Sequence, residues 1–559
     1  MKRNPFIRLL AVPLCAAMLA GALALPVSAA VAPKPPFLTQ VLYDVADAAL
    51  NALLRGLSML YPTDLPRQYT TGPDFFPGMD TFLDAPAGGA KWSLGYARAS
   101  LIPPGLFDPE TGAYIGPDDI FVGGELVGEG QRALIDRKTP TRLLDDMCVR
   151  VTAISDGSGN GPKGHKGRGT VVFASLDAYA LTLYDVRVIR GMLLDFAEQN
   201  NIVGINIGVL HQHSCIDTLG MNGMILGALF VNPWNARFGW FSHHGKNARF
   251  MENLHTTTAD AIKAAVAAME PGTLYYGSAD AADYLRDKRP PTVLDTRLHR
   301  LRFVPDNKTS RETWLLNYAS HASTLGPTRE VTSDYPHYAE EQVNRLAGAN
   351  VQMILGANLA IGRNDRPFEA EGVQYTDRER MVLYGRAVGD LAVGINNDEA
   401  VEPMLNIKMA EYRMPVDNPI HLAMFRTGML EAVGVRRCDL SPDIDIITEI
   451  GYMELGDGLA VILAPGEIDP VLVQGGALPA SEAYTGRDFL FTPMRDMVRG
   501  GRRLLTFGVM NDHSGYYLVP NDIQNFILFG TQEINAASKQ AAESLLEAFE
   551  GLTASVIGK

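Results

Sequence analysis

The sequence predicts an α/β fold in which mixed central β-sheets are flanked by helices, with a metal site at the strand ends. Three observations lead there. From Trp92 onward, apolar runs of strand length alternate with helical segments, no break in composition divides that region, and several strand runs stop at a histidine or a glutamate. The 559 residues are 47% hydrophobic and 20% charged, the balance of a large globular chain that can bury a core.

Taken in order, residues 1–29 read as a secretory signal. Lys2, Arg3 and Arg8 precede an apolar stretch from Leu9 to Leu25, and Val27-Ser28-Ala29 offers small residues for cleavage near Ala29. The expected location is therefore secreted or periplasmic. Residues 30–91 form the next unit. Apolar residues at helical spacing over 37–60 predict an amphipathic helix, and a Pro/Gly-rich connector follows from Pro62 to Gly89. The helix charges are sparse and mixed, so packing on the body is expected over lying on a membrane.

Residues 92–559 read as one large domain. Strands are predicted at Cys148 to Ile154, Gly169 to Leu176, Val203 to Leu210, Thr313 to Ala319, Val351 to Leu355, Gly458 to Leu463 and Leu504 to Val509. Helices are predicted at Leu183 to Asn200, Phe250 to Met269, Tyr338 to Ala347, Asp377 to Ile395 and Ile534 to Leu552. The excursion from Asp217 to Ala248 carries Phe230, Trp234, Phe238, Trp240 and Phe241, which either wall an apolar pocket or complete the core.

Charge narrows the partners. A net charge of −14 argues against nucleic acid, whose phosphates need clustered Lys and Arg, and the basic run from Lys163 to Arg168 is Gly-rich and reads as a solvated loop. Removing Cys15 with the signal leaves Cys148, Cys215 and Cys438, an odd number that allows one bridge at most.

The chemistry concentrates at strand ends. In the stretch GVLHQHSCID, His211 and His213 stand two apart, so on an extended chain both imidazoles reach one side. Alone, that pair is a weak signal. Two further strand runs close on His321 and Glu467, and a third leads through Asn511, Asp512 and His513 to Tyr516. Ligands of α/β sheets gather beyond the carboxyl ends of strands, and two histidines with a carboxylate suit catalytic zinc better than calcium or magnesium. Adjacent His243 and His244 would point apart if extended, which makes them a poor chelating pair.

The ordered set WSLGYARASLIPP, MCVRVTAIS, VVFASLDAY, GVLHQHS, LLNYASH with TSDYP, GANLAIG, LAPGE and NDHSGYY resembles the catalytic domain of neutral/alkaline non-lysosomal ceramidases. The resemblance implies zinc ligands at His211, His321, Glu467 and Tyr516, with His213 facing substrate. It sets Asp334 on an aspartate near the metal, although an aspartate there also caps a helix. Three departures fall on the substrate side. Ala360 takes the position of an active-site serine, Cys215-Ile216-Asp217 replaces a Gly-rich turn, and residues 518–523 lose an acidic, Thr-rich segment.

Together these features imply an exported zinc-dependent amidohydrolase that cleaves an N-acyl bond of ceramide or a related N-acyl lipid through zinc-activated water. His213 and Tyr516 are the expected catalytic groups, and Asp334, Ala360 and His513 the expected substrate-side residues. Peripheral membrane contact is the expected route to lipid, and the oligomeric state is left open. Two alternatives stand beside this: a zinc hydrolase of another amide or ester, and an inactive lipid-binding relative. Cys215 is expected to be a small buried side chain rather than a nucleophile.

Overall fold

The computed structural model describes residues 34–58, 69, 71–123, 139–157, 168–220, 246–325, 328–368, 373–426, 430–437, 443–526 and 532–557. The signal segment, most of the aromatic excursion, His243, His244, Cys438 and Lys163 lie outside them.

Two sheets form the centre. The larger has nine strands and runs in the order 350–355, 313–318, 297–305, 270–280, 93–100, 148–155, 170–176, 202–209, with 399–401 added beside 270–280. The smaller has five, ordered 405–416, 444–455, 459–463, 503–507, with 434–436 added beside 444–455. Both mix parallel and antiparallel pairs.

The strand residues explain the layering. In Leu459–Leu463, Leu459, Val461 and Leu463 enter the core between the sheets, while Ala460 and Ile462 join the core on the opposite face. In Thr170–Leu176, Val171 and Phe173 likewise face the second sheet, and Val172, Ala174 and Leu176 face the helices. A strand buried on both faces has no polar alternation to show, so these runs are continuously apolar. The inter-sheet layer includes Trp92, Leu301, Phe303, Ile407, Met453 and Phe507. Outside the larger sheet pack helices Leu183–Gly191, Ala248–Ala267, Asp334–Ala347 and Asp377–Gly394, and outside the smaller sheet packs Ala541–Val556. The result is helix, sheet, sheet, helix, which is the predicted class.

Each predicted strand is present to within two residues at its ends. Two helices differ. The segment 183–200 is broken at Met192 and Leu193 into Leu183–Gly191 and Leu194–Gln199, and the last helix starts at Ala541 after a separate 3₁₀ turn at Glu533–Asn535. Long strands at 270–280, 297–305, 405–416 and 444–455 were not predicted, because their charges obscure the pattern. In Ile444–Leu455 the buried Glu449 is answered by Arg190 through bonds of 2.8 and 3.0 Å, from a helix over two hundred residues away. No local pattern reveals such a partner.

The helix Phe37–Ser58 packs on the body through Leu54, Lys34 Nζ on the Ala483 carbonyl and Gln40 on the Tyr484 carbonyl. On its opposite side Phe37, Leu38, Val41, Leu42 and Val45 are exposed. Among the described residues, no helix is long and apolar enough to cross a membrane.

Three parallel pairs position the site: 170–176 with 202–209, 313–318 with 350–355, and 459–463 with 503–507. Parallel neighbours end on the same side, so each pair delivers two loops to one place, whereas antiparallel neighbours send successive loops to opposite ends.

Candidate metal centre

His211 follows the 202–209 strand, His321 the 313–318 strand and Glu467 the 459–463 strand. They converge: His211 Nε2 is 3.1 Å from Glu467 Oε1, and His321 Nε2 is 2.7 Å from Glu467 Oε2. All three are buried. The ligand atoms of a tetrahedral zinc, at about 2.0–2.1 Å from the ion, stand roughly 3.3 Å apart.

Each histidine is oriented by a backbone carbonyl. His211 Nδ1–H donates to the Tyr179 carbonyl at 2.7 Å, and His321 Nδ1–H donates to the Ile361 carbonyl at 2.8 Å. A carbonyl can only accept, so Nδ1 carries a hydrogen and Nε2 is the atom left facing Glu467, the orientation typical of metal-binding imidazoles. His211 Nε2 and both Glu467 oxygens are buried without a hydrogen-bond partner among the described residues. A buried carboxylate left in that state is costly, and a cation coordinated by it removes the cost. The residues therefore fit a divalent metal held by two nitrogens and a carboxylate.

Electrostatics agree. Burial by itself would raise the Glu467 carboxyl, but His211 and His321 beside it hold it well below the usual carboxylate range. Burial, reinforced by His211 and His321, pushes His213 well below its ordinary value. His213 is thus a neutral imidazole. Among the described residues neither of its nitrogens has a hydrogen-bond partner, and its ring lies 4.8 Å from that of His211 and 5.7 Å from that of His321.

His513 sits closer to the metal side than a substrate-side role implies. Its Nε2 is 3.5 Å from Glu467 Oε1, and its ring stacks on His211 at 5.0 Å. The described residues contain two overlapping groups able to hold a metal: His211, His213 and His321, and His211, Glu467 and His513. Tyr516 pairs in register with Glu467 in a short parallel ladder, which sets the two side chains on one face.

Asp334 is committed to the loop beyond His321. Its carboxylate accepts from Thr324 N at 2.9 Å, Leu325 N at 3.2 Å, Tyr335 N at 2.7 Å and the Thr324 hydroxyl. It opens the helix Asp334–Ala347 and holds that loop in place. Ala360 lies in the loop that orients His321. The Ala360 carbonyl accepts from Lys288 N, Leu359 N donates to the Ile468 carbonyl, and Ile361, the next residue, holds His321. Cys215 is fully buried, donates to the Gln212 carbonyl, and burial drives its thiol well above the ordinary value, so it carries no thiolate. Cys148 and Cys215 are both free.

Backbone strain collects here. The non-glycine residues with positive φ among the described ones are Asn201, His211, Asp334, Ala360, Val509 and Asn511, and all except Asn201 lie in or beside the site loops. Such conformations cost roughly 1–2 kcal/mol each and persist where the surroundings enforce them. Gly466 has φ of +61°, and a Cβ there would stand 2.3 Å from the Gly515 carbonyl oxygen, so only glycine lets the Glu467 loop approach the Tyr516 loop.

Sequence reasoning missed the supports. Tyr179 supplies both the carbonyl and a ring stacked 4.7 Å from His211. Between the two histidines, Gln212 Nε2 donates to Asp177 at 2.8 Å, and Asp177 accepts from Arg150 at 2.6 Å. Arg150 pairs in turn with Glu340 of the helix that Asp334 begins. The available signal was that Asp177 and Tyr179 follow a strand run, as His211 does; a polar residue ending a strand is too common to single them out.

No protein-family model and no curated protein matches the chain. Solved structures do share its fold. The neutral ceramidase from Pseudomonas aeruginosa superposes with a TM-score of 0.57 at 13% identity, covering 84% of this chain and 76% of that one. A ceramidase complexed with C2 gives 0.56 at 14% identity, covering 83% and 75%. At such identities the likeness establishes a ceramidase-like fold.

Proposed function

We propose that this chain is a zinc-dependent hydrolase of an N-acyl amide bond, with ceramide or a related N-acyl lipid as substrate. The observation that carries the reading is the convergence of His211, His321 and Glu467, with the histidines held by their Nδ1–H bonds and the buried Glu467 oxygens unpartnered. The shared fold of the two ceramidases supports the choice of amide chemistry.

His211, His321 and Glu467 would hold zinc, with Tyr516 as fourth ligand and His513 as its competitor. Zinc bound there supplies Lewis acidity, polarising an acyl carbonyl and lowering the pKa of a water to about 7. The chain's own residues do the rest. His213, neutral and with neither nitrogen hydrogen-bonded among the described residues, would accept the proton of the attacking water and return it to the departing amine. Tyr516, beside Glu467, is the candidate to steady the developing oxyanion. A water nucleophile needs no serine, which accommodates Ala360.

Export through residues 1–29 and approach to lipid along the exposed stripe from Phe37 to Val45 belong to the same proposal. N-terminal sequencing of the mature protein tests the first.

The deciding experiment measures metal content and hydrolysis together. Purified protein should carry about one zinc per chain and release fatty acid from ceramide, and His211→Ala should lose both. Zinc-free protein with undiminished hydrolysis would overturn the reading. Ala360 favours one second reading, a zinc hydrolase of a different amide or ester; preference for short N-acyl amino acids over ceramides would select it.

A further inference from the structure

A second cleft, of about 510 Å³, lies between the two sheets and shares no lining residue with the metal centre. Tyr276, Ser278, Arg297 and His299 reach it from adjoining strands of the larger sheet, Arg503 and Leu504 from the 503–507 strand of the smaller one, and Arg495 from a 3₁₀ turn. Its walls carry Arg297, Arg495, Arg502 and Arg503 against two carboxylates, Asp295 and Glu399. In a chain of net charge −14, that local excess of positive charge runs against the whole.

The carboxylates are already committed. Glu399 accepts from both terminal nitrogens of Arg503, at 2.5 and 3.1 Å, and Asp295 stands 3.1 Å from His299 Nε2. Arg502 is answered by Glu454 at 3.5 Å and the Gly456 carbonyl at 2.7 Å. Arg297 and Arg495 are different. Among the described residues the Arg297 guanidinium donates only to the Ser278 hydroxyl at 3.1 Å, and that of Arg495 only to the carbonyl and side-chain oxygens of Gln474, at 3.5 and 3.3 Å. Among the described residues, neither guanidinium has a carboxylate within 4.0 Å. Both are exposed to the solvent that fills the cleft.

The floor beneath them is built from buried polar groups. His299 is bonded on both sides, to the Tyr276 hydroxyl at 2.8 Å and to Asp295 at 3.1 Å, and Arg503 lies over the Tyr276 ring at 5.4 Å. This fixes the shape of the cleft between two sheets, where ligand sites commonly form. Planar guanidinium groups with unused donors are suited to phosphate and sulfate oxygens.

We propose that this cleft is a second ligand site, for an oxyanionic group of the phosphate or sulfate class, with Arg297 and Arg495 as its principal donors. The source is either a soluble phosphate-bearing molecule or a lipid headgroup. The proposal does not depend on the amide-hydrolase reading, since no metal-side residue takes part.

The test is calorimetric titration of the full mature chain with inorganic phosphate, beside cosedimentation with vesicles of phosphatidylcholine alone or doped with phosphatidic acid. Saturable phosphate binding is expected, weakened at least about tenfold by Arg297→Gln or Arg495→Gln and roughly a hundredfold by both together. Thermal unfolding of the variants should match the parent, and Arg297→Lys should retain part of the affinity. Phosphate binding without capture on phosphatidic acid vesicles identifies a soluble ligand. Capture on doped vesicles that the double variant abolishes identifies a headgroup. No saturable binding of either probe, or binding that the double variant leaves unchanged, overturns the proposal.

Discussion

The two sheets contribute to the candidate metal centre in different ways. The larger sends His211 and His321, and each imidazole is oriented within its own neighbourhood by a carbonyl, from Tyr179 or Ile361. The smaller sends Glu467, whose backbone is tied by the Gly515 carbonyl but whose carboxylate oxygens have no hydrogen-bond partner among the described residues. One side of the centre is therefore oriented by the protein's own hydrogen bonds, and the other is not. A cation there would join two sheets as well as serve chemistry.

The largest effect should follow from striking the unsupported side. Glu467→Ala removes the carboxylate on which His211 and His321 converge, and hydrolysis should fall on the order of 10³-fold or more, with zinc lost from the protein. Metal analysis beside the assay checks that the two losses coincide. His213→Ala should lower hydrolysis by roughly 10²–10³-fold while zinc is retained, because this imidazole is assigned to the proton and not to the ion. Loss of zinc in this variant would move His213 into the ligand set.

The supported side is tested through its buried brace. Arg150→Met leaves Asp177 and Glu340 without their cation, and urea unfolding should show a loss of about 3–5 kcal/mol. Glu340 sharpens this with pH. Burial pushes its carboxyl up to about 7 from an ordinary 4.5, so between those values the folded state binds more protons than the unfolded one. Its contribution to stability therefore falls as pH rises from about 4.5 to about 7. Glu340→Gln should flatten that decline in unfolding curves measured across the window; an unchanged slope would place the titration elsewhere.

Ala360→Ser should have the smallest effect, under about tenfold on hydrolysis, if water is the nucleophile. A large gain would mean that the missing hydroxyl matters to the chemistry.

Much of the site was legible because its residues interrupt a pattern. His211, His321 and Glu467 each follow a largely apolar strand buried on both faces, so a titratable residue beyond its end stands out. The same apolar pattern located the strands that carry them. Residues whose role is to support others left no such mark. Tyr179 and Ile361 act through backbone carbonyls that every residue possesses, and Asp177 and Arg150 matter only because folding buries them together.

By itself, then, the amino-acid order determined the α/β class, the strands ending at the centre and the identity of its titratable groups, since these rest on local periodicity and side-chain chemistry. Tertiary structure alone decided the pairing of two sheets, the ring orientations of His211 and His321, the closeness of His513 to Glu467 and the arginine cleft. Each of those depends on contacts between residues far apart in the chain, which local pattern does not encode.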